Sequence, residues 1–420
     1  MNKELLRFAT AGSVDDGKST LIGRLLLETK AIYDDQLAAI TESCKRQNKD
    51  VDLALLTDGL SSEREQGITI DVAHRYFSTK RRQFIIADSP GHEQYTRNFI
   101  TAASEASLVV ILVDAEKGFS VQTRRHLFVA SLLSIPHILV AVNKMDKVGY
   151  AKEKFEEIKD AVIGYSAKLN IRDLQFVPVC ALKGDMVCTR GENMNWFEGQ
   201  TFLNYLENVH IASDRNLIDP RFPIQLCLRP HADFRGYAGR VEGGVFKKGE
   251  EVLVMPSGQR SRVRGIFDGG KEMDSAYNGQ SVVLTFEDEV DASRGDMVVR
   301  PGNVPEISNE FEAMIWWMDE SSLEVGRPYL VKHTTQQNLG FVEKLHYRID
   351  VNSLHREESA GLGINEVGRV TIKTHVPLLF DPYLQNVNTG NFIIIDKFTN
   401  GTVGGGIILQ RSNKPTVCEE

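Results

Sequence analysis

Apolar and polar positions along this 420-residue chain follow two regimes. In the first half, short runs of β-branched and other apolar residues alternate with longer stretches of helical spacing. The run Leu5 to Ala11 predicts a strand, and LIGRLLLETK predicts the helix that follows a short loop. Asp34 to Gln47 is polar with spaced apolar residues, which predicts an exposed helix, whereas VDLALLTDGLSSEREQGITID lacks clear periodicity and is expected to be mobile. ITIDVAHRYFS and RRQFIIADSPG flank a polar turn around Thr79 to Arg82 and predict a hairpin. SLVVILVDA, PHILVAVNKMD and LQFVPVCAL read as further strands, alternating with helix-like stretches at about His92 to Ala106, Gln122 to Ser134 and Lys152 to Lys168. Because parallel strands are joined by crossovers, this alternation predicts an α/β fold, a mainly parallel sheet covered by helices on both faces.

The second half changes period. Pro220 and Pro223 introduce a region of short strand-like runs and turn sequences, PSGQ at 256 to 259, DGG at 268 to 270 and NGQ at 278 to 280, which predicts a small antiparallel β-barrel. Pro301, Gly302 and Pro305 mark a second boundary, after which FEAMIWWM, GRVTIKTHV and NFIIIDKF predict another barrel. The expected domains are therefore 1–213, 219–303 and 307–412. Trp316 and Trp317 are adjacent, so in a strand they face opposite sides, one toward the core and the other toward a possible interface. Arg235 and Arg240 with Phe234 and Tyr237 suggest a solvated strand face more than a nucleic-acid surface, since no wider basic cluster surrounds them.

Composition narrows the class. A net charge of −8 opposes sequence-independent attraction to nucleic acid, which depends on Lys and Arg neutralising phosphates. Cys44, Cys180, Cys188, Cys227 and Cys418 are scattered without C-x-x-C spacing, so neither a zinc site nor a disulfide framework is expected. The N-terminal MNKELLRFATAG lacks a signal-peptide pattern, and no 18-residue apolar run follows. A cytoplasmic protein, neither exported nor membrane-spanning, is the expectation.

The chemistry gathers at strand ends, where open α/β sheets bind ligands. Gly12-Ser13-Val14-Asp15-Asp16-Gly17-Lys18-Ser19-Thr20 fits G-x-x-x-x-G-K-[ST] between a strand and a helix, the context of a phosphate-binding P-loop. Such a loop turns backbone N–H groups and a helix N-terminus toward phosphate, with Lys18 on the β/γ-phosphates and Ser19 on Mg²⁺. Asp88 ends the next strand but one and can hold Mg²⁺ through water; Gly91, having no Cβ, can turn its N–H to a γ-phosphate; Thr69 can supply a second hydroxyl to the metal. His92 is the candidate to position or polarise the attacking water. Asn143-Lys144-Met145-Asp146 ends a later strand, and the Asp146 carboxylate can accept from both the ring N–H and the exocyclic amine of guanine, which predicts GTP over ATP. Cys180-Ala181-Leu182 ends the following strand, where a backbone N–H can meet the guanine carbonyl; Cys180 itself reads as a buried small residue rather than a nucleophile.

These motifs in this order resemble the translational GTPase superfamily. SVDDGKSTLIGRLL, GLSSEREQGITIDVAHRYFST, DSPGHEQYTRNF and QTRRH are more closely similar to the large GTPase subunit of bacterial ATP sulfurylase, and the similarity continues through RPHADFRGYAG, VLVMPSGQRSRV, FEDEVDASRGDMVV, WWMDESSLEVGRPYLVK, INEVGRVTI and FDPYLQNVNTGNFIIIDKFTNGTVGGG. The resemblance implies a P-loop GTPase domain followed by two antiparallel β-barrels, GTP and Mg²⁺ as ligands, and a heterodimer with a small catalytic subunit that makes adenosine 5′-phosphosulfate from ATP and sulfate. It maps the phosphate loop to Gly12 through Thr20, with Lys18 on phosphate and Ser19 on Mg²⁺, and assigns Thr69 to the first-switch metal role, Asp88 and Gly91 to the second-switch roles, His92 to the catalytic-histidine position, and Asn143, Lys144 and Asp146 to guanine. Cys180 departs from a common Ser and Ser89 from a frequent Thr, with small expected consequence. No second phosphate loop or SGG-type loop offers an ATP site, so adenylyl transfer is expected in the partner. With sequence ending soon after the last barrel-like motif, a fused adenylylsulfate-kinase domain is not expected. A factor delivering aminoacyl-tRNA and an autonomous regulatory GTPase are the competing readings.

Overall fold

The computed structural model describes residues 3–31, 53, 72–92, 96–211, 216–231 and 234–412. The exposed helix expected over Asp34 to Gln47, the aperiodic segment after it and Thr69 lie outside the described residues. The chain divides into two compact units, Met1–Asp214 with Val351–Leu354, and Arg215–Asp350 with His355–Glu420.

The first unit is built on one sheet. Its strands are β1 (Glu4–Ala11), β2 (Ala73–Ser78), β3 (Arg82–Asp88), β4 (Leu108–Asp114), β5 (His137–Asn143) and β6 (Asp173–Pro178), in the spatial order β2-β3-β1-β4-β5-β6. Only β2–β3, the expected hairpin, is antiparallel; β1–β3, β1–β4, β4–β5 and β5–β6 are parallel. Every residue of β4 is buried, as a strand covered on both faces requires. Each buried large aliphatic side chain there contributes about 1.5–3 kcal/mol. The helices are α1 (Lys18–Glu28), α2 (Thr96–Ser104), α3 (Val121–Leu132), α4 (Lys152–Ser166) and a short α5 (Phe202–Asn208). The sequence placed the second of these from His92, but His92 lies exposed in a bend and the described helix begins at Thr96. Pro90 and Gly91 precede that bend, residues 93–95 lie outside the described residues, and Phe99, Ile100, Ala102 and Ala103 form the apolar face that anchors α2.

The second unit holds two closed antiparallel rings. In the first, β7 (Arg221–Leu228), β8 (Gly236–Arg240), β10 (Glu251–Met255), β11 (Gln259–Asp268), β14 (Ser281–Phe286) and β15 (Met297–Val299) run in the order β10-β15-β7-β8-β14-β11, and β11 pairs back to β10; β9 (Val245–Lys247), β12 (Lys271–Met273) and β13 (Ser275–Tyr277) are appended. The turns at 256–259, 268–270 and 278–280 fall between these strands as their Gly and Pro content dictates. In the second, β16 (Glu306–Trp317), β17 (Pro328–His333), β18 (Gln336–Ile349), β20 (Val367–Phe380), β21 (Asn391–Ile395) and β22 (Thr402–Arg411) run β17-β21-β22-β16-β20-β18, closed by β17–β18, with β19 (Arg356–Glu357) on β18. Phe222, Tyr237, Phe246 and Ile266 belong to the first core, and Phe311, Trp317, Tyr329 and Phe392 to the second. Trp317 points inward, while Trp316, on the opposite side of the strand, packs over Gly405. Between the rings, Met297 and Val299 meet Leu379, and buried Arg221 donates to both Asp381 carboxylate oxygens at 2.8 Å. Tyr237 is core, and Arg235 and Arg240 lie 3.6 and 4.0 Å from Asp291 and Glu242, a strand face of paired charges.

Candidate functional site: a phosphate loop and a base-reading edge

β1 delivers the chain into the loop at Gly12, and α1 begins at Lys18. The turn between them relies on left-handed backbone at Asp15 (φ 67°) and Gly17 (φ 91°), the second of which has no side chain with which to cap α1. The first turn of α1 also carries no acidic residue, so its N–H groups and positive dipole end face the loop uncompensated. By contrast, Ser120 caps α3 by accepting from the Thr123 N–H at 3.1 Å. An uncapped, glycine-led helix N-terminus is suited to an anion. Ser19 and Thr20 lie half-buried in that first turn, while Val14 and Asp15 sit exposed on the loop.

Lys18 is buried, and its Nζ donates to Gly12 O at 3.0 Å and Ser13 O at 3.2 Å. Burial lowers its pKa, while the charges of Asp88, Asp16 and Asp15 work the other way. Gly91 closes against the same place: a Cβ there would fall 2.8 Å from Gly12 O and 2.4 Å from Lys18 Nζ. Asp88 is buried at the end of β3, where Oδ1 accepts from Thr10 Oγ1 at 2.8 Å; Ser89 Oγ donates to Thr10 O at 2.5 Å, the bond a Thr hydroxyl could also make. The structure thus brings Lys18, Asp88 and Gly91 together around the loop, with exposed His92 following directly.

The Asn143-Lys144-Met145-Asp146 motif is tied to the loop from the side. Asn143 Nδ2 donates to Asp16 O at 2.8 Å, and its Oδ1 accepts the Ala181 N–H at 3.0 Å, so one side chain joins three strand-end loops. A Cβ on Gly17 would lie 2.4 Å from Asn143 Nδ2, which fixes glycine there by space as well as by φ. Lys144 adopts left-handed backbone (φ 61°) and donates to Asp114 Oδ2 at 2.8 Å. Half-buried Asp146 accepts from Cys180 Sγ at 3.2 Å. Burial pushes the Cys180 thiol up to about 11, so it remains a protonated donor and no nucleophile. Arg24 of α1 donates from Nε to Ala181 O at 3.0 Å and from Nη2 to Leu182 O, pinning the exposed Leu182 loop.

Three residues escaped sequence reasoning. Asp114 ends β4 and Lys117 and Ser120 follow it: Asp114 anchors Lys144, Lys117 Nζ donates to Val14 O at 3.2 Å, and Ser120 Oγ lies 3.2 Å from Ser13 Oγ. Asp114 ends a strand as Asp88 and Asp146 border theirs, a positional signal that could have found it. His126, within QTRRH, is fully buried against Phe99 and its pKa falls to about 3 through burial, then repulsion by Lys18 and Arg125.

A family model described as the elongation factor Tu GTP binding domain matches residues 3–213, and one described as GTP-eEF1A C-terminal domain-like matches residues 310–409. With its loop, its asparagine tie and its sheet order, the first unit is a GTP-binding domain of the translational GTPase class. Among curated relatives, a bifunctional enzyme CysN/CysC of Rhodopirellula baltica is 52% identical over 414 residues, which is 97% of this chain but 64% of that protein. Sulfate adenylyltransferase subunit 1 of Alteromonas mediterranea is 50% identical over 410 residues, covering 97% of this chain and 87% of its own length, and that of Bacteroides fragilis is 50% identical over 417 residues, covering 98% and 87%. The chain belongs to the sulfate adenylyltransferase subunit 1 family. Among the described residues, no helix is long and apolar enough to cross a membrane.

Proposed function

We propose that this chain is the GTPase subunit of a heteromeric, cytoplasmic sulfate adenylyltransferase, in which GTP hydrolysis here drives formation of adenosine 5′-phosphosulfate and diphosphate from ATP and sulfate in a small catalytic partner. The observation that carries this reading is the near-complete alignment, at about half identity, with proteins named sulfate adenylyltransferase subunit 1, joined to a site in which Asn143 locks the base-reading edge to the phosphate loop. Three domains, 1–213, 219–303 and 307–412, divide the labour: the first binds nucleotide and the barrels offer surface to the partner. The tRNA-delivery reading gains nothing from Arg235 and Arg240, which face carboxylates.

In this account the N-terminus of α1 and Lys18 hold the phosphates, and Asp146 selects guanine, assisted by Asn143, Lys144 and a backbone N–H of the Cys180-Ala181-Leu182 stretch. Ser19, Thr69 and Asp88 would hold Mg²⁺; a hydroxyl and a carboxylate are the hard oxygen donors that ion takes, with substrate phosphates completing its shell. When bound, the ion neutralises charge that develops on the phosphates. Gly91 presents its N–H to the γ-phosphate and His92 orients the attacking water. The segments around Thr69 and from Asp88 to His92 are the switches, since γ-phosphate contacts order such segments and hydrolysis releases them.

Forming a phosphoric-sulfuric anhydride from ATP and sulfate is uphill, so neither half should suffice alone. Mixed with the small subunit, ATP, sulfate and Mg²⁺, the chain should support product formation far faster with GTP than with GDP, and Thr69→Ala should lose most of that difference. Equal rates with GTP and GDP in an intact complex would leave the chain a scaffold with an incidental GTPase.

A further inference from the structure

Asp16 sits inside an anion site, where a carboxylate is out of place unless it has structural work to do. It is 3% exposed, and Oδ2 accepts the Ser13 N–H at 2.7 Å, while the Asp16 N–H donates back to Ser13 O at 3.3 Å. Its carbonyl accepts from Asn143 Nδ2 at 2.8 Å, so the same residue joins the first half of the loop to the base-reading edge. A Cβ on Gly12 would lie 3.5 Å from Oδ2, in contact with the carboxylate. Lys117, from the loop after β4, places Nζ 3.9 Å from the Asp16 Oδ1 and 3.2 Å from Val14 O, and so bridges the carboxylate and the outer backbone of the loop. Lys18 attracts the same carboxylate and Asp114 repels it.

We propose that Asp16 is a positioning residue: its carboxylate, partnered by Lys117, fastens the phosphate loop in its nucleotide-binding shape and does not itself contact nucleotide. Removing the acceptor leaves the half-buried Ser13 N–H without its side-chain partner and frees the loop to reorganise, which binding must then reverse. Removing Lys117 takes away one of the two countercharges of a carboxylate near the bound phosphates, leaving it only Lys18. Both losses should fall on affinity rather than on the rate at which bound GTP is cleaved. The proposal rests on the guanine-nucleotide site described above.

The test is fluorescent GDP and GTP titration of the full chain, with thermal melting to confirm folding and single-turnover hydrolysis to separate binding from chemistry. Asp16→Val should weaken GDP binding about tenfold, and Asp16→Asn, which retains an oxygen acceptor, should recover most of that loss. Lys117→Met should weaken binding about fivefold in the wild-type background and clearly less in Asp16→Asn, since the charge it balances is gone. A wild-type chain that binds no guanine nucleotide overturns the site reading and this proposal with it. A wild type that binds while Asp16→Val binds equally well, or while folded Asp16→Asn is as impaired as Asp16→Val, overturns the proposal alone. Should Asp16→Val fail to fold, the Lys117 cycle decides: equal losses in both backgrounds refute the pairing.

Discussion

Lys18 and Arg221 are both buried cations, one in each compact unit, and their surroundings differ in kind. Arg221 meets a matched carboxylate: Nε and Nη2 reach Asp381 at 2.8 Å, Nη1 donates to Pro220 O and to Asn303 at 2.9–3.0 Å, and Thr389 Oγ1 donates to Asp381 at 2.7 Å. Each of its three guanidinium nitrogens therefore has a partner within the second unit. Lys18 instead leans on two backbone carbonyls beside an uncapped helix end, and its burial lowers the cost of exchanging them for phosphate oxygens. A buried charge satisfied by its own fold serves structure, whereas one held by neutral acceptors beside a dipole is poised for an anion.

Several substitutions can break or sharpen that contrast. The largest effect is expected for Arg221→Met, which strands the Asp381 carboxylate between the rings. Denaturant titration should show a loss of about 3–5 kcal/mol, with GDP affinity of the folded protein within about twofold of wild type. Lys18→Ala should do the reverse: stability nearly unchanged by melting, and GTP binding or turnover down about a hundredfold or more, since positioned positive charge carries phosphoryl chemistry. If Lys18→Ala unfolds the protein as Arg221→Met does, the contrast is lost.

On the proposed base-reading role, Asp146→Asn replaces one acceptor oxygen by a donor amide and should turn preference from GTP toward XTP in competition assays. Retained wild-type preference for GTP would show that Asp146 does not read the base. The smallest effect concerns acid. Burial tends to raise the Asp114 carboxyl, but the Lys144 hydrogen bond, the Glu116 N–H and the charges of Lys144 and Lys117 hold it below its ordinary 3.8. A carboxyl held lower in the folded than in the unfolded chain stabilises above the unfolded value and loses that contribution as pH falls through the folded one. Asp114→Asn should therefore cost about 1–3 kcal/mol at neutral pH and flatten the fall of melting temperature below pH 3.8.

What the sequence disclosed follows from how local each feature is. Gly12 to Thr20 forms its loop within nine consecutive residues, and the strand-helix alternation that builds the sheet is a matter of period, so both were legible. That Trp317 rather than Trp316 faces the core needed the ring, whose pairings β16–β20, β16–β22 and β17–β21 join strands far apart in sequence. Likewise, Asn143 reads as a base contact in the sequence, yet its amide spans Asp16 and Ala181, residues that come together only once β1, β5 and β6 lie in order. Lys117 and Asp114 carry no motif and gain their meaning from the same convergence. His92 was set at a helix start because its neighbours have helical composition, whereas Pro90 and Gly91 govern the local backbone and leave it in a bend.

The central claim is that the strand ends of the first unit form a site for a guanine nucleotide. Calorimetric titration of the purified chain with GDP and with ADP, in the presence of Mg²⁺, tests it most directly. Binding of GDP at least about a thousandfold tighter than ADP is the predicted result, because adenine lacks the pair of donors, ring N–H and exocyclic amine, that the Asp146 carboxylate would accept from guanine. Comparable affinity for the two nucleotides, or no binding of GDP by a folded chain, would contradict it.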